Sequence, residues 1–261
     1  MSRSPSHPAY GQLRPVTETA SVLLADNPGL MTLDGTNTWV LRGPGSDEMV
    51  IVDPGPDDDA HIGALAGLGR VALVLISHWH GDHTDGIDKL ADATGAPVFS
   101  ARSGFQRRLG GGLTDGEVIE AAGLRIRVLA TPGHTADSVS FLLDDAVLTA
   151  DTVLGRGTTV IDAEDGDLAD YLESLRRLRG LGCRTVLPGH GPELADLQAV
   201  AAGYLAHREQ RLAQVRAALA ALGQDATARQ VVEHVYTDVD EKLWGAAQWS
   251  VQAQLNYLRA H

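Results

Sequence analysis

Apolar residues along this chain fall into short runs, each closed by a turn and a polar side chain. Residues 36–41 are β-branched and apolar, a Gly-Pro-Gly turn follows, and 49–52 form a second run ending at Asp53-Pro54-Gly55. That pattern predicts a hairpin-like pair of strands. Residues 71–76 are continuously apolar, as in a strand buried on both faces, and stop at Ser77-His78-Trp79-His80. Residues 126–129 lead to Thr131-Pro132-Gly133-His134. Residues 139–143 and 146–148 form another pair, ending at Ala150-Asp151, and 184–187 end at Pro188-Gly189-His190. Beyond the first pair, four predicted strands therefore end in loops that carry His or Asp, where a rigid sheet can fix a functional group.

Helical spacing separates these runs. Leu168, Leu172, Leu175 and Leu178 recur every three or four positions, with Asp165 or Asp167 placed as a cap. Beyond His190 the pattern becomes helical throughout: an Ala/Leu-rich stretch over 193–222 closed by Gly223, a short amphipathic helix over 227–236, and another over 243–258. The first 30 or so residues are rich in Pro and polar side chains and read as an arm leading into a strand. The expected organisation is one α/β domain over 1–192 and a helical appendage over 193–261.

Composition narrows the classes. At 261 residues and 44% hydrophobic, the chain can bury a substantial core. It has no apolar run of the ~20 residues a membrane helix needs and no apolar leader at its start, so a soluble, cytoplasmic protein with no membrane partner is expected. The single cysteine, Cys183, excludes a disulfide framework and a thiolate zinc cluster. The net charge is −13, with 15 basic and 26 acidic side chains before residue 193 and 6 and 8 after it. A large basic nucleic-acid footprint is absent, and an anionic substrate would need a local positive centre.

That centre is predicted at His78-Trp79-His80-Gly81-Asp82-His83. Two residues apart at a strand end, His78 and His80 point to one side, and Gly81 permits the turn that brings in Asp82 and His83. Four nitrogen or oxygen ligands in six residues suit zinc or a comparable divalent ion. With His134, Asp151 and His190, seven ligands suffice for two metals: His78, His80 and His134 on one, Asp82, His83 and His190 on the other, Asp151 between. Asp53 ends the preceding strand and is either a turn aspartate or the partner of a ligand histidine's outer N–H. The remaining histidines, His7, His61, His207, His234 and His261, read as structural or surface residues.

These residues resemble the metallo-β-lactamase-fold hydrolase superfamily over nearly the whole chain. His78, His80, Asp82 and His83 match its HxHxDH motif, and His134, Asp151 and His190 its later signatures. The resemblance implies an αββα sandwich with metals at one edge. Within the superfamily the chain is similar to the beta-lactamase-like protein 2 endoribonuclease group, through Asn27-Pro28-Gly29, residues 33–38, residues 153–160 and Pro188-Gly189-His190-Gly191-Pro192. That group implies a small winged-helix-like C-terminal appendage and cleavage of single-stranded RNA with zinc.

The chemistry implied is a dinuclear zinc hydrolase using a hydroxide shared between two Zn2+ ions, with Mn2+ or Fe2+ as substitutes. Asp151 would bridge the metals and Asp82 would ligate one and orient the hydroxide. Asn37 and Arg156 are the expected substrate-binding residues. Arg102, Arg107 and Arg108 are further candidates for phosphate contact, although no recognisable RNA-binding motif is present. The alternative substrate is a small ester, a thioester as in the glyoxalase II branch, or a β-lactam. A pure binding module is disfavoured by the complete ligand set. A homodimer is the expected form of any self-association.

Overall fold

The computed structural model describes residues 9–162, 164–237 and 244–260. Its first sheet contains β1 (Arg14–Pro15), β2 (Ala20–Leu24), β3 (Asn37–Leu41), β4 (Glu48–Val52), β5 (Arg70–Leu75) and β6 (Val98–Phe99), hydrogen-bonded in that order. Strands β1 to β4 are antiparallel neighbours; β5 joins β4 in parallel and β6 joins β5 likewise. The second sheet contains β7 (Val118–Ala121), β8 (Leu124–Ala130), β9 (Val139–Leu142), β10 (Ala146–Ala150) and β11 (Thr185–Pro188), in spatial order β11-β10-β9-β8-β7. Only β10 and β11 run parallel there.

Parallel pairs require crossovers, and helices supply them. Helix α1 (Asp59–Ala66) links β4 to β5. Helices α2 (Gly81–Thr84) and α3 (Ile87–Thr94) lie between β5 and β6, and α4 (Leu168–Arg179) lies between β10 and β11. The side-chain alternation of the strands then sorts the core into layers. Trp39, Leu41, Val50, Val52 and Leu75 face Ile126, Val128, Phe141, Ala146 and Leu148 across the gap between the sheets. Their sequence neighbours Val40, Met49, Ile51 and Val74 turn outward, onto Ile62 and Leu65 of α1 and Ile87 and Leu90 of α3. On the other side Val147 and Val186 pack on α4 through Leu172, Leu175 and Leu178. The result is an αββα sandwich whose central strands are buried on both faces. Phe141 is fully buried between the sheets, and its truncation to Ala would cost about 3–5 kcal/mol.

The helical tail comprises α5 (Leu197–Leu222), α6 (Ala228–Val235) and α7 (Trp244–Ala260). Helix α5 belongs to two cores. Its first half places Leu197, Tyr204, Leu205 and Leu212 against α4. Its second half places Val215, Ala218 and Leu219 against Val231 and Val232 of α6 and Val251 and Leu255 of α7. None of these helices is long and apolar enough to cross a membrane.

Differences from the sequence reading are local. Asp167, not Asp165, caps α4 by accepting from Asp170 N. Helix α5 begins at Leu197 because the Asp196 side chain takes the Ala199 N–H. The arm adds a strand pair, β1 and β2, to the first sheet. Helices α1 and α3 and strands β6 and β7 were not apparent from periodicity. His7, His261 and Leu243 lie outside the described residues.

Candidate metal centre

Every strand that the sequence ended on a His or Asp ends at the same edge of the sandwich. Backbone bonds sew the sheets together there: Val139 N donates to Ser77 O at 2.9 Å, and Asn37 N to Gly189 O at 2.8 Å. His78 and His80 follow β5, His134 follows β8, Asp151 follows β10 and His190 follows β11.

Three groups of ligand atoms converge, each with its atoms within 4.8 Å of one another: His78, His80 and His134; His78, His83 and Asp151; Asp82, His83 and His190. His80 Nδ1 is 3.0 Å from both His78 Nε2 and His134 Nε2. His83 Nε2 is 3.3 Å from His190 Nε2 and 3.4 Å from Asp82 Oδ2, which is 3.1 Å from His190 Nε2. Asp151 lies between, with Oδ1 3.6 Å from His83 Nε2 and Oδ2 3.3 Å from His190 Nε2 and 3.8 Å from His134 Nε2.

The outer nitrogens decide what these rings present inward. His134 Nδ1 donates to Val160 O at 2.7 Å and His190 Nδ1 to Gly35 O at 3.1 Å, because a carbonyl can only accept. His83 Nδ1 donates to Asp53 Oδ2 at 2.9 Å, and His80 Nε2 to Asp162 Oδ2 at 3.2 Å. Ser77 Oγ gives its own proton to Asp53 Oδ2 at 2.6 Å, so it accepts from His78 Nδ1 at 2.9 Å. Five outer N–H groups are thus committed, and five imidazole lone pairs face one another and two carboxylates. Such a concentration of donors at 3.0–3.8 Å is repulsive unless positive charge, from metal ions or added protons, sits among them. The buried Asp151 Oδ1 has no hydrogen-bond partner among the described residues. Divalent metal fits this donor set.

Electrostatics divides the site in the same way. Burial, reinforced by the His83 and His134 imidazoles, holds His78 well below its ordinary value; burial also lowers His134. Burial would lower His83 too, but Asp82, Asp151 and Asp53 outweigh it and push it up to about 9. His190 is raised well above its ordinary value despite burial, chiefly by Asp151. Burial opposes ionisation of Asp151, yet His190 and His83 keep its carboxyl well below the usual range. Burial thus favours neutral rings at His78 and His134, whereas the carboxylates favour positive charge at His83 and His190.

Two glycines make the loops possible. Gly133 has φ +129°, and a Cβ there would stand 2.3 Å from the Tyr171 backbone. A Cβ on Gly189 would stand 2.3 Å from Asp151 Oδ1 and 2.9 Å from His83 Cε1.

Asn37 and Arg156, the residues expected to bind substrate, have partners within the protein. Asn37 grips the His190 loop, its Nδ2 donating to Pro188 O at 3.0 Å and Gly191 O at 2.8 Å. Arg156 stands at the cleft rim, ion-paired with Asp34. Arg102 pairs with Asp165, Arg107 with Asp88 and Arg108 with Asp92. Of the two readings of Asp53, the structure has the carboxylate on His83 and on both the N–H and hydroxyl of Ser77. Asp162 was missed; nothing in its sequence surroundings marks it, since only the folded 160–162 loop brings it to His80.

The centre opens into a cleft of about 470 Å³ that runs between the sandwich and the tail. Leu30, Met31, Leu33, Leu154 and Val160 make much of its wall apolar, and Tyr236 of the tail closes one side.

The profile of the Metallo-beta-lactamase superfamily matches residues 31–190, and that of the Beta-lactamase associated winged helix domain matches 227–261. An atrochrysone carboxyl ACP thioesterase of Aspergillus fumigatus is 35% identical over 209 residues, 76% of this chain and 64% of the relative. A beta-lactamase-like protein 2 homolog of Caenorhabditis elegans is 32% identical over 250 residues, 88% of this chain and 82% of the relative. The crystal structure of a metallo-beta-lactamase family protein from Thermus thermophilus superposes with a TM-score of 0.76 at 26% identity, covering 94% of both chains.

Proposed function

The chain belongs to the metallo-beta-lactamase superfamily and is a hydrolase, and we propose that its substrate is an acyl thioester seated in the apolar cleft. The observation that carries this reading is the wall formed by Leu30, Met31, Leu33, Leu154 and Val160 beside the seven converging side chains. An acyl chain gains by leaving water along such a wall, whereas a phosphodiester backbone does not. The A. fumigatus relative named as a thioesterase supports the same class.

His78 Nε2, His80 Nδ1 and His134 Nε2 would hold one zinc-like ion, and Asp82, His83 and His190 Nε2 the other, with Asp151 between them. When bound, two such ions supply a water acidified to react near neutral pH and polarisation of the substrate carbonyl. Asp53, Ser77, Asp162, Val160 O and Gly35 O hold the five rings in register. Leu30, Met31 and Leu33 cover the acyl chain and exclude bulk water. Asp82, 28% exposed, faces the cleft and orients the attacking water by accepting a hydrogen bond from it; despite burial, His83 and His190 hold its carboxyl at about 2, so it stays ionised. The water's oxygen joins the acyl carbon, the carbon–sulfur bond breaks and the water's proton ends on the departing sulfur, so a carboxylic acid and a thiol leave.

A second reading, cleavage of single-stranded RNA, is favoured by the motifs shared with the beta-lactamase-like protein 2 group and by the span of the C. elegans relative. One experiment separates the two. Metal-loaded protein is given acyl thioesters and a single-stranded oligoribonucleotide, with a His80→Ala preparation made in parallel. Thioester turnover that stops with chelator and is lost in His80→Ala is expected. RNA cleavage lost in that variant, with no thioester turnover, overturns the thioester reading.

A further inference from the structure

The part of the cleft wall supplied by α5 carries positive charge that no carboxylate among the described residues pairs with. His207, Arg208 and Arg211 lie on one face of α5, and all three line the same cleft as His80, Asp82 and Asp151. Arg208 is 3% exposed, yet among the described residues no carboxylate pairs with it or with Arg211. Burying an unpaired guanidinium is costly, so such a group either stabilises a neighbour or awaits an anion.

Arg208 does the first in part. It donates to Thr159 O and stacks at 4.9 Å on Tyr171. Thr159 Oγ1 in turn donates to Asp151 O at 2.8 Å, so the wall is two hydrogen bonds from the centre. Its Nε nevertheless remains buried without a partner. Arg211 Nε donates to His207 Nε2 at 3.4 Å, which leaves the ring proton on His207 Nδ1, a second buried donor without a partner. Arg211 is steadied by Gln214 at 2.9 Å and by the Tyr236 ring at 4.9 Å. Gln254, which lines the same cleft, has a buried Oε1 without a partner.

Two guanidinium charges without a carboxylate partner among the described residues, lining the cleft that also holds His80, Asp82 and Asp151, are the makings of an oxyanion subsite; Arg211 is half-buried and can meet an anion in the cleft, while the buried Arg208 adds charge close by. Arg156, the other arginine of the cleft, is already spent on Asp34.

We propose that His207, Arg208 and Arg211 form a subsite that anchors an anionic group of the substrate, a carboxylate or a phosphate, away from the bond that is cut. This rests on the cleft being the substrate site. It does not require that the bond be a thioester. The sequence pattern concealed the subsite, because the three residues acquire a common purpose only when α5 closes over the 157–160 loop.

The test uses equilibrium binding to the metal-loaded protein, so that it stands apart from turnover. Two matched pairs of thioether analogues, which cannot be hydrolysed, are compared. In one pair an N-acetylcysteamine thioether ends in a carboxylate or in a methyl group. In the other the same butyl thioether is carried by coenzyme A or by N-acetylcysteamine. In the wild type at least one anionic member should bind about tenfold tighter than its neutral mate. Arg211→Gln should bring that ratio close to one while leaving the neutral analogue's affinity within about twofold, and Arg211→Lys should restore part of the preference. A preference confined to the carboxylate pair assigns the anion to the acyl chain; one confined to the coenzyme pair assigns it to the phosphates of the thiol. Equal binding within both pairs, or an equal loss of neutral and anionic analogues in Arg211→Gln, overturns the subsite. Clear anion preference together with no hydrolysis of any thioester retains the subsite and removes the thioester reading alone.

Discussion

The carboxylate of Asp53 accepts the Nδ1 proton of His83 at 2.9 Å, from the end of the neighbouring strand and from a residue in the left-handed region at φ +55°. A non-glycine residue at that φ costs energy that the surrounding bonds must offset. The bonds to Ser77 N and Oγ do so while aiming Oδ2 at the ring.

Replacement of Asp53 by Asn keeps the shape and tolerates the left-handed backbone, but removes the negative charge behind His83. The expected loss is 10- to 100-fold in affinity for the ion held by Asp82, His83 and His190. The ion held by His78, His80 and His134 should change far less. Stepwise chelator competition reads both, and unchanged affinities would remove Asp53 from the centre.

Gly189→Ala adds one methyl group and deletes no ligand. Its Cβ would stand 2.3 Å from Asp151 Oδ1, so the carboxylate must swing away. Metal content should fall and turnover should drop at least about 100-fold, while circular dichroism stays native. Full metal content in this variant would show that Asp151 does not hold the position assigned to it.

Metal removal should abolish hydrolysis and restoration should recover it. Elemental analysis of gently purified protein is expected to find close to two divalent ions per chain. A reproducible zero, with no gain on zinc addition, contradicts the centre.

His61 lies outside the centre and titrates against the fold. Burial lowers it from 6.5 to about 4, with only Asp58 opposing; its Nε2 donates to Thr38 Oγ1 at 2.9 Å. The folded state therefore prefers the neutral ring. Its stabilising contribution is complete above pH 6.5 and declines as the pH falls toward 4, by up to about 3 kcal/mol. Denaturant melts across that window should slope less in His61→Gln than in the wild type. Parallel slopes would mean that His61 titrates normally.

The double membership of α5 gives a prediction for truncation. A chain ending at residue 192 loses Leu197, Tyr204 and Leu205 from the layer over α4, along with the bond from Leu154 N to Tyr204 Oη at 3.0 Å. It should be insoluble. A soluble, metal-binding truncation would show that the sandwich does not need this helix.

Strand ends were legible because an apolar run followed abruptly by His or Asp requires no knowledge of partners. Strand β7 was not, since its burial alternates between exposed and half-buried at the sheet edge and leaves little periodic signal. Helices α1 and α3 are eight residues each, too short for periodicity alone to separate them from loops. The metal-facing side chains could be read from spacing, but what orients them could not. Ser77 adjoins His78 in sequence, but its acceptor role follows only from Asp53, which takes its proton; Asp162 and the carbonyls of Val160 and Gly35 reach their histidines only through tertiary approach. Asn37 was legible as a special residue, but its partners lie more than 150 positions away in Pro188 and Gly191.

The convergent side chains belong to both sheets: His78, His80, Asp82 and His83 hang from the first, His134, Asp151 and His190 from the second. Ions gripped by both would act as rivets through the seam, joining segments 54 residues apart at one ion (His80 and His134) and 107 apart at the other (His83 and His190), at the rim where the apolar filling between the sheets ends. Parting the sheets would then require ion release. The lifetime of the folded state would be governed by the slow departure of the metal as much as by the core, a kinetic guard that an equilibrium melting curve would underestimate.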